Sequence, residues 1–136
     1  MHAASWAVFN NEKTHGITWH VMAEKIKECD ILKQARIKIE AQETTASLIL
    51  KCRQQAMAAF ADLADELPAN RHQRIQQNMY MRRYYSSNKK PEGNGWINWN
   101  SPAEEIDRLY RALSFGKYIN RLSLPKFMLG DQVRHR

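Results

Sequence analysis

The side chains between positions 20 and 30 that could move protons, attack carbonyls or hold a polar ligand include His20, Glu24, Lys27, Glu28, Cys29 and Asp30. A general base near neutrality must be an imidazole or a carboxylate. Lys27 is neither, since an ammonium only donates and its ordinary pKa of about 10.4 keeps it protonated. Glu24, Glu28 and Asp30 supply carboxylates, but a displacement of one residue in a loop is enough to misaim a base. A lysine beside Cys29 would lower the thiol's pKa, yet without a paired histidine base the cysteine does not become a catalytic nucleophile. No metal site is expected, because Cys29 and Cys52 have no metal-like spacing and His2 and His15 have no ligand-spaced companions.

Positioning falls to the elements on either side. Gly16 opens an apolar stretch in which β-branched Ile17, Thr18 and Val21 surround Trp19, and this predicts a buried strand over 17–22. Residues 23–30 are polar and predict a loop. Over 31–39, Ile37 and Ile39 alternate with Lys38 and Glu40, the pattern of a strand with one wet face. Upstream, residues 3–9 (AASWAVF) are apolar nearly all round and predict a short buried helix. Asn10 and Asn11 then suit a left-handed turn.

Downstream, Thr44 or Thr45 caps the strongest helical pattern. Leu48, Cys52, Ala56, Ala59, Phe60, Leu63 and Leu67 form its apolar stripe, and Pro68 ends it. Residues 96–99 (WINW) predict a short strand. Ser101-Pro102-Ala103-Glu104 reads as a capping box with proline at the first helical position, starting a helix that buries Ile106, Leu109, Tyr110 and Leu113. From 114 to 136 no clear period emerges.

A length of 136 residues, 43% hydrophobic and 26% charged, allows one small soluble domain with a modest core. No apolar run approaches the roughly 18 residues that a membrane span needs. The first residues lack the basic-then-apolar pattern of a secretory signal, so a cytoplasmic setting with reduced thiols is expected. The net charge is +7, and the excess is uneven. Between 71 and 90 stand Arg71, Arg74, Arg82, Arg83, Lys89 and Lys90 with no acid. That stretch reads either as a solvated linker or as a polyanion-binding surface.

Residues 16–32, GITWHVMAEKIKECDIL, resemble the pattern G-V-T-x-H-x-M-x-x-x-I-D-x-G-D-I-L of the folate-dependent formyltransferases, the methionyl-tRNA formyltransferase-like group in particular. Gly16, Ile17, Thr18, His20, Met22, Ile26, Asp30, Ile31 and Leu32 fit it. SWAVFNNEKTHG is similar to W-A-I-x-N-G-E-x-x-x-G, and ETTASL to D-x-T-A-x-S-L. GWINWNSPAEEIDRLYRAL resembles G-x-I-D-W-x-x-P-A-x-E-I-x-x-x-I-R-A-L. FGKYINRLSLPK resembles the tail of formyltransferase domains fused to peptide-synthetase modules. These matches run in order over roughly residues 3–129.

The resemblance implies an α/β fold: a partial, incomplete Rossmann-like formyltransferase domain with two strands, a long helix and a capping helix. It implies that 1–67 is the second half of a catalytic domain, 68–95 a basic linker, and 96–136 a connecting strand and helix with a truncated C-terminal segment. In that family a loop aspartate, with the asparagine and histidine of an Asn-x-His-x-Ser motif, acts on a formyl group carried by 10-formyltetrahydrofolate and transfers it to an amine. Lys27 stands at the aspartate position and Cys29 at the glycine after it, and no Asn-x-His-x-Ser occurs in the chain. A side chain at that glycine position would cost roughly 1 kcal/mol if positive φ is required.

The implied roles follow. No catalytic residue is expected here, and His20, Glu28, Cys29 and Asp30 are the candidate cofactor-binding residues for 10-formyltetrahydrofolate. The chain is expected to be inactive alone, with the missing N-terminal half or a larger synthetase-type protein as partner. The alternative is a basic module that contacts tRNA or another protein. The two strands are expected to lack parallel neighbours, which favours association or partial disorder of the isolated chain.

Overall fold

A computed structural model describes residues 2–22, 29–69, 71–78, 80, 83–130 and 132–135. In chain order the elements are α1 (Ala3–Phe9), β1 (Thr14–His20), β2 (Ile31–Lys38), α2 (Thr45–Glu66), a 3-10 turn (Glu92–Gly95), α3 (Ala103–Leu113), β3 (Lys126–Leu129) and β4 (Gln132–His135). They group into two compact units. One comprises Met1–Lys13, Ile39–Ile49 and Tyr85–Arg136; the other comprises Thr14–Lys38 and Leu50–Tyr84. No helix among the described residues is long and apolar enough to cross a membrane.

In the second of these units β1 and β2 pair with each other, antiparallel, from Thr14 opposite Lys38 to Trp19 opposite Lys33. Each strand thus finds one neighbour in the other. A connection of ten residues or fewer closes an antiparallel pair, whereas a parallel pair needs a crossover of a dozen or more. The strand also begins and ends earlier than 17–22 and is not buried on both faces. Thr14, Gly16, Thr18 and His20 are exposed, while His15, Ile17 and Trp19 are half-buried.

Trp19 carries the packing of β1. Its indole lies 4.9 Å from the Phe60 ring, and its Nε1 donates to the Ala56 carbonyl at 3.2 Å. β2 contributes Ile37, which is buried, as its alternation requires. Lys33 Nζ reaches Glu66 Oε1 at 2.6 Å, and this hydrogen bond and attraction raise the lysine's pKa. Ile31 and Ile75 exchange backbone hydrogen bonds of 2.8 and 2.9 Å, which extends the pairing beyond the hairpin.

α2 starts where its sequence says. Ser47 N–H donates to Thr44 Oγ1 at 3.2 Å, so Thr44 is the cap. The helix stops at Glu66, before Pro68. Leu48, Ala59 and Leu63 are buried and Cys52 and Ala56 half-buried, but Phe60 and Leu67 are exposed. Phe60 sits one position round from the buried Ala59 and Leu63, at the border of the stripe.

In the other unit α1 packs against α3. Trp6, Leu113, Phe115 and Leu122 form the core, with Phe9, Ile49, Tyr85, Leu109 and Tyr118 against it. Trp6 stacks on Tyr85 at 5.0 Å and 10°, and Lys89 Nζ lies 5.3 Å from both rings. Ser5 and Thr45 both donate their hydroxyls to the Ala112 carbonyl, at 2.5 and 2.7 Å. These bonds satisfy three buried polar atoms at once. Asn11 adopts the left-handed conformation expected after α1, with φ 54°.

Three expectations need correction here. α3 has Pro102 as its N-cap, with no side-chain cap, so Ser101-Glu104 forms no capping box. The Pro102 carbonyl accepts from Glu105 and Ile106 N–H instead. Tyr110 is exposed, because Ala112 and Leu113 take the buried face. WINW is no strand: the 3-10 turn precedes it, and only Trp96 makes a single bridge, to Lys126. The segment without a clear period holds a hairpin, β3 against β4, turned at Gly130 with φ 59°.

Candidate functional site

The register of the β1–β2 pair slips between Trp19 and His20, so that His20 falls opposite Ile31. One step further, Val21 N–H donates to the Asp30 carbonyl at 2.9 Å. These two features set His20 against the Asp30–Ile31 backbone at the connected end of the hairpin, with Cys29 next in sequence. Lys27, Glu28 and Glu24 lie outside the described residues.

The three residues differ in what they offer. His20 is exposed, and its Nδ1 lies 3.0 Å from the Val21 carbonyl oxygen. A carbonyl accepts only, so Nδ1 carries the proton of this bond, and in the neutral ring Nε2 is then the acceptor. Cys29 is 3% exposed, and its carbonyl accepts from Gln77 Nε2 at 2.7 Å. The residue is therefore packed away from solvent. Asp30 is half-buried, and its backbone carbonyl pairs with Val21 across the strand ends. His15, further back on β1, has its pKa lowered by burial.

Sequence reasoning found these residues through spacing, yet it missed a feature of the other unit. An open cleft of about 630 Å3 runs between the C-terminal end of α1, the 3-10 turn and α3. Phe9, Trp96, Ile106 and Leu109 give it apolar walls, while Glu92, Glu105 and Arg108 give it charge. Trp96 was its only legible sign, as one of two tryptophans in a short stretch. Gly93, with φ 67°, lets the turn fold under the indole.

No family model matches the chain. It is 34% identical over 110 residues to the bifunctional polymyxin resistance protein ArnA of Wigglesworthia glossinidia brevipalpis, covering 81% of this chain and 16% of that protein. It is 32% identical over 108 residues to the methionyl-tRNA formyltransferase of Treponema denticola, covering 79% of this chain and 33% of that one. The chain thus spans well under half the length of these relatives.

Solved structures show the same fold. A 4-N formyltransferase from Francisella tularensis superposes with a TM-score of 0.75 at 19% identity, covering 98% of this chain and 53% of that one. An N-formyltransferase from Helicobacter canadensis, in complex with folinic acid and dTDP-3-aminofucose, superposes with a TM-score of 0.69 at 19% identity, covering 96% and 46%. The architecture is that of a partial Rossmann-like formyltransferase domain.

Proposed function

Because this chain belongs to the formyltransferase family, we propose that it retains the family's strand–loop–strand element for a folate-borne formyl group but has lost the carboxylate that drives the transfer. One observation carries the reading. By the sequence resemblance, Lys27 stands at the position of the family's loop aspartate, in the segment of sequence between β1 and β2.

Formyl transfer needs a neutral amine to attack, charge stabilisation on the tetrahedral oxygen, and an acceptor for the amine's proton. An ammonium at position 27 supplies no acceptor. His20 Nε2 retains a lone pair for a polar ligand atom, and Asp30 holds the hairpin end on which it stands. The Helicobacter canadensis enzyme's folinic acid supports a folate-type ligand, 10-formyltetrahydrofolate, for the functional relatives of this loop. A longer chain or a partner bearing Asn-x-His-x-Ser, in a cytoplasmic setting, is where the element would operate.

The test is direct. The purified chain with 10-formyltetrahydrofolate and candidate amines should give no formylated product. Product above the blank that disappears in Glu28→Gln or Asp30→Asn would overturn the reading. Folinic acid titration of the chain and of His20→Ala tests ligand binding apart from turnover.

A second reading has its own support. Tyr80 and Tyr84 are exposed beside Arg71, Arg74 and Arg83, the combination of stacking rings and cations that suits single-stranded nucleic acid. Filter binding to tRNA should then weaken steeply between low and high salt. No retention at low salt removes it.

A further inference from the structure

A separate concave surface of about 440 Å3, in the unit that contains α3, is lined by Lys90, Arg121 and Lys126 together with Asn94, Asn120 and Ser123. Among the described residues no carboxylate lines it. Three like charges facing one hollow repel one another, and an anion entering it relieves that repulsion.

Two of the cations are already held. Lys90 Nζ donates to the Arg121 carbonyl at 2.7 Å, and Lys126 Nζ to the Asn94 carbonyl at 3.3 Å. An ammonium has three donors, so each lysine keeps two for a ligand. Anchoring also lessens the side-chain freedom that binding would have to remove.

The walls that supply these carbonyls are fixed by the fold. Gly93, Asn94 and Gly95 take positive φ in succession, at 67°, 49° and 86°. A Cβ on Gly95 would stand 2.3 Å from the Leu124 carbonyl oxygen, so only glycine permits this approach. Ser123 Oγ donates to the same Asn94 carbonyl at 2.7 Å. Asn120 closes the other side, donating to the Leu113 and Ser123 carbonyls and accepting from the Leu122 and Ser123 N–H groups. The positive field is felt nearby: His2 has its pKa lowered first by burial and then by neighbouring positive charge, Lys90 and Arg121 included.

We propose that this cleft binds the phosphoryl group of a small phosphate-bearing ligand. A polynucleotide surface tracks its backbone along an extended groove, whereas here the cations converge on one concavity. The proposal stands apart from the formyl-loop reading, since it uses no residue of the 20–30 segment.

Calorimetric titration of the full chain with pyrophosphate, at constant ionic strength, should give saturable one-to-one binding. Lys126→Gln and Lys90→Gln should each weaken it about three- to tenfold, the scale of one partly solvated charge-assisted hydrogen bond. Lys117→Gln, in the same unit but outside the cleft, should leave it unchanged. Circular dichroism matching that of the parent chain verifies folding, and Arg121→Gln gives the same readout at an exposed position should a lysine variant misfold. No saturable binding, an equal loss in Lys117→Gln, or displacement by sulfate at equal affinity overturns the proposal. Tighter competition by a single-stranded RNA oligomer also overturns it, because the surface would then be a polynucleotide site.

Discussion

Around α1 and α3, Trp6, Leu113, Phe115 and Leu122 are almost inaccessible and have further aromatic and aliphatic side chains against them. Around β1, β2 and most of α2, the buried apolar residues are Cys29, Ile37, Ala59 and Leu63, a smaller set of smaller side chains. Both units leave large apolar side chains exposed, Leu50, Met57 and Ile75 in the second and Trp99, Ile119 and Leu129 in the first, so the difference lies in the buried sets. The formyl-loop residues stand on the thinner unit and the cationic cleft on the better packed one. Segments with few buried contacts open at lower free energy, so the β1–β2 pair is expected to open more readily than the packing of α1 on α3.

The largest effect expected from this contrast is at Trp6. Trp6→Ala removes a buried indole, its stack on Tyr85 and the ring beneath Lys89, and should cost about 3–5 kcal/mol. Chemical denaturation followed by Tyr and Trp fluorescence measures it; a loss below about 1 kcal/mol would mean that this core is no stronger than its neighbour.

Next comes a pair on α2. Leu63→Ala should cost about 2–4 kcal/mol, because Leu63 is 2% exposed, whereas Met57→Ala should stay within about 0.5 kcal/mol. Similar losses from both would show that Met57 is covered in solution, and the contrast in packing would narrow.

Thr45→Val tests the shared carbonyl of the first unit. It keeps the volume but deletes a buried donor to Ala112, and should cost about 1 kcal/mol, since Ser5 still satisfies that oxygen. The double change with Ser5→Ala should then exceed the sum of the two single changes, because only it leaves the carbonyl without a hydroxyl partner.

The smallest effect is one of pH on the β1 unit. Burial lowers the pKa of His15 below 6.5 in the folded state, so the unfolded chain binds more protons as pH falls. Stability should be full above 6.5 and decline as pH drops through that value toward the lowered one. Comparing urea midpoints at about pH 7.5 and 5.5 for the parent chain and His15→Gln checks the sign: the variant should show the flatter profile.

Some of this was legible in order. Thr44, the three- and four-residue spacing of Leu48, Ala59 and Leu63, and Pro68 specify α2 from start to stop, because a cap, a stripe and a breaker each act within a turn or two of the chain. The short α1, the left-handed Asn11 and the strand positions of Trp19 and Ile37 follow from equally local rules. The spacing of residues 16–32 was enough to identify the family and to single out Lys27.

Other features depended on distant partners. That β1 and β2 meet each other depended on the fold, since the strand propensity of Ile17 or Ile37 chooses no partner; once they meet, their short connection makes the pair antiparallel. Ser101 and Glu104 have the right types for a capping box, but the tertiary path gives the cap position to Pro102. Lys90 and Arg121 stand far apart in sequence and read there as scattered charge. Their convergence with Lys126 requires the left-handed run at Gly93, Asn94 and Gly95 and the turn around Asn120. The sequence determined the local elements and put a lysine at position 27. Tertiary structure decided which charges face one another, because electrostatic proximity is a property of folded distance and not of position along the chain.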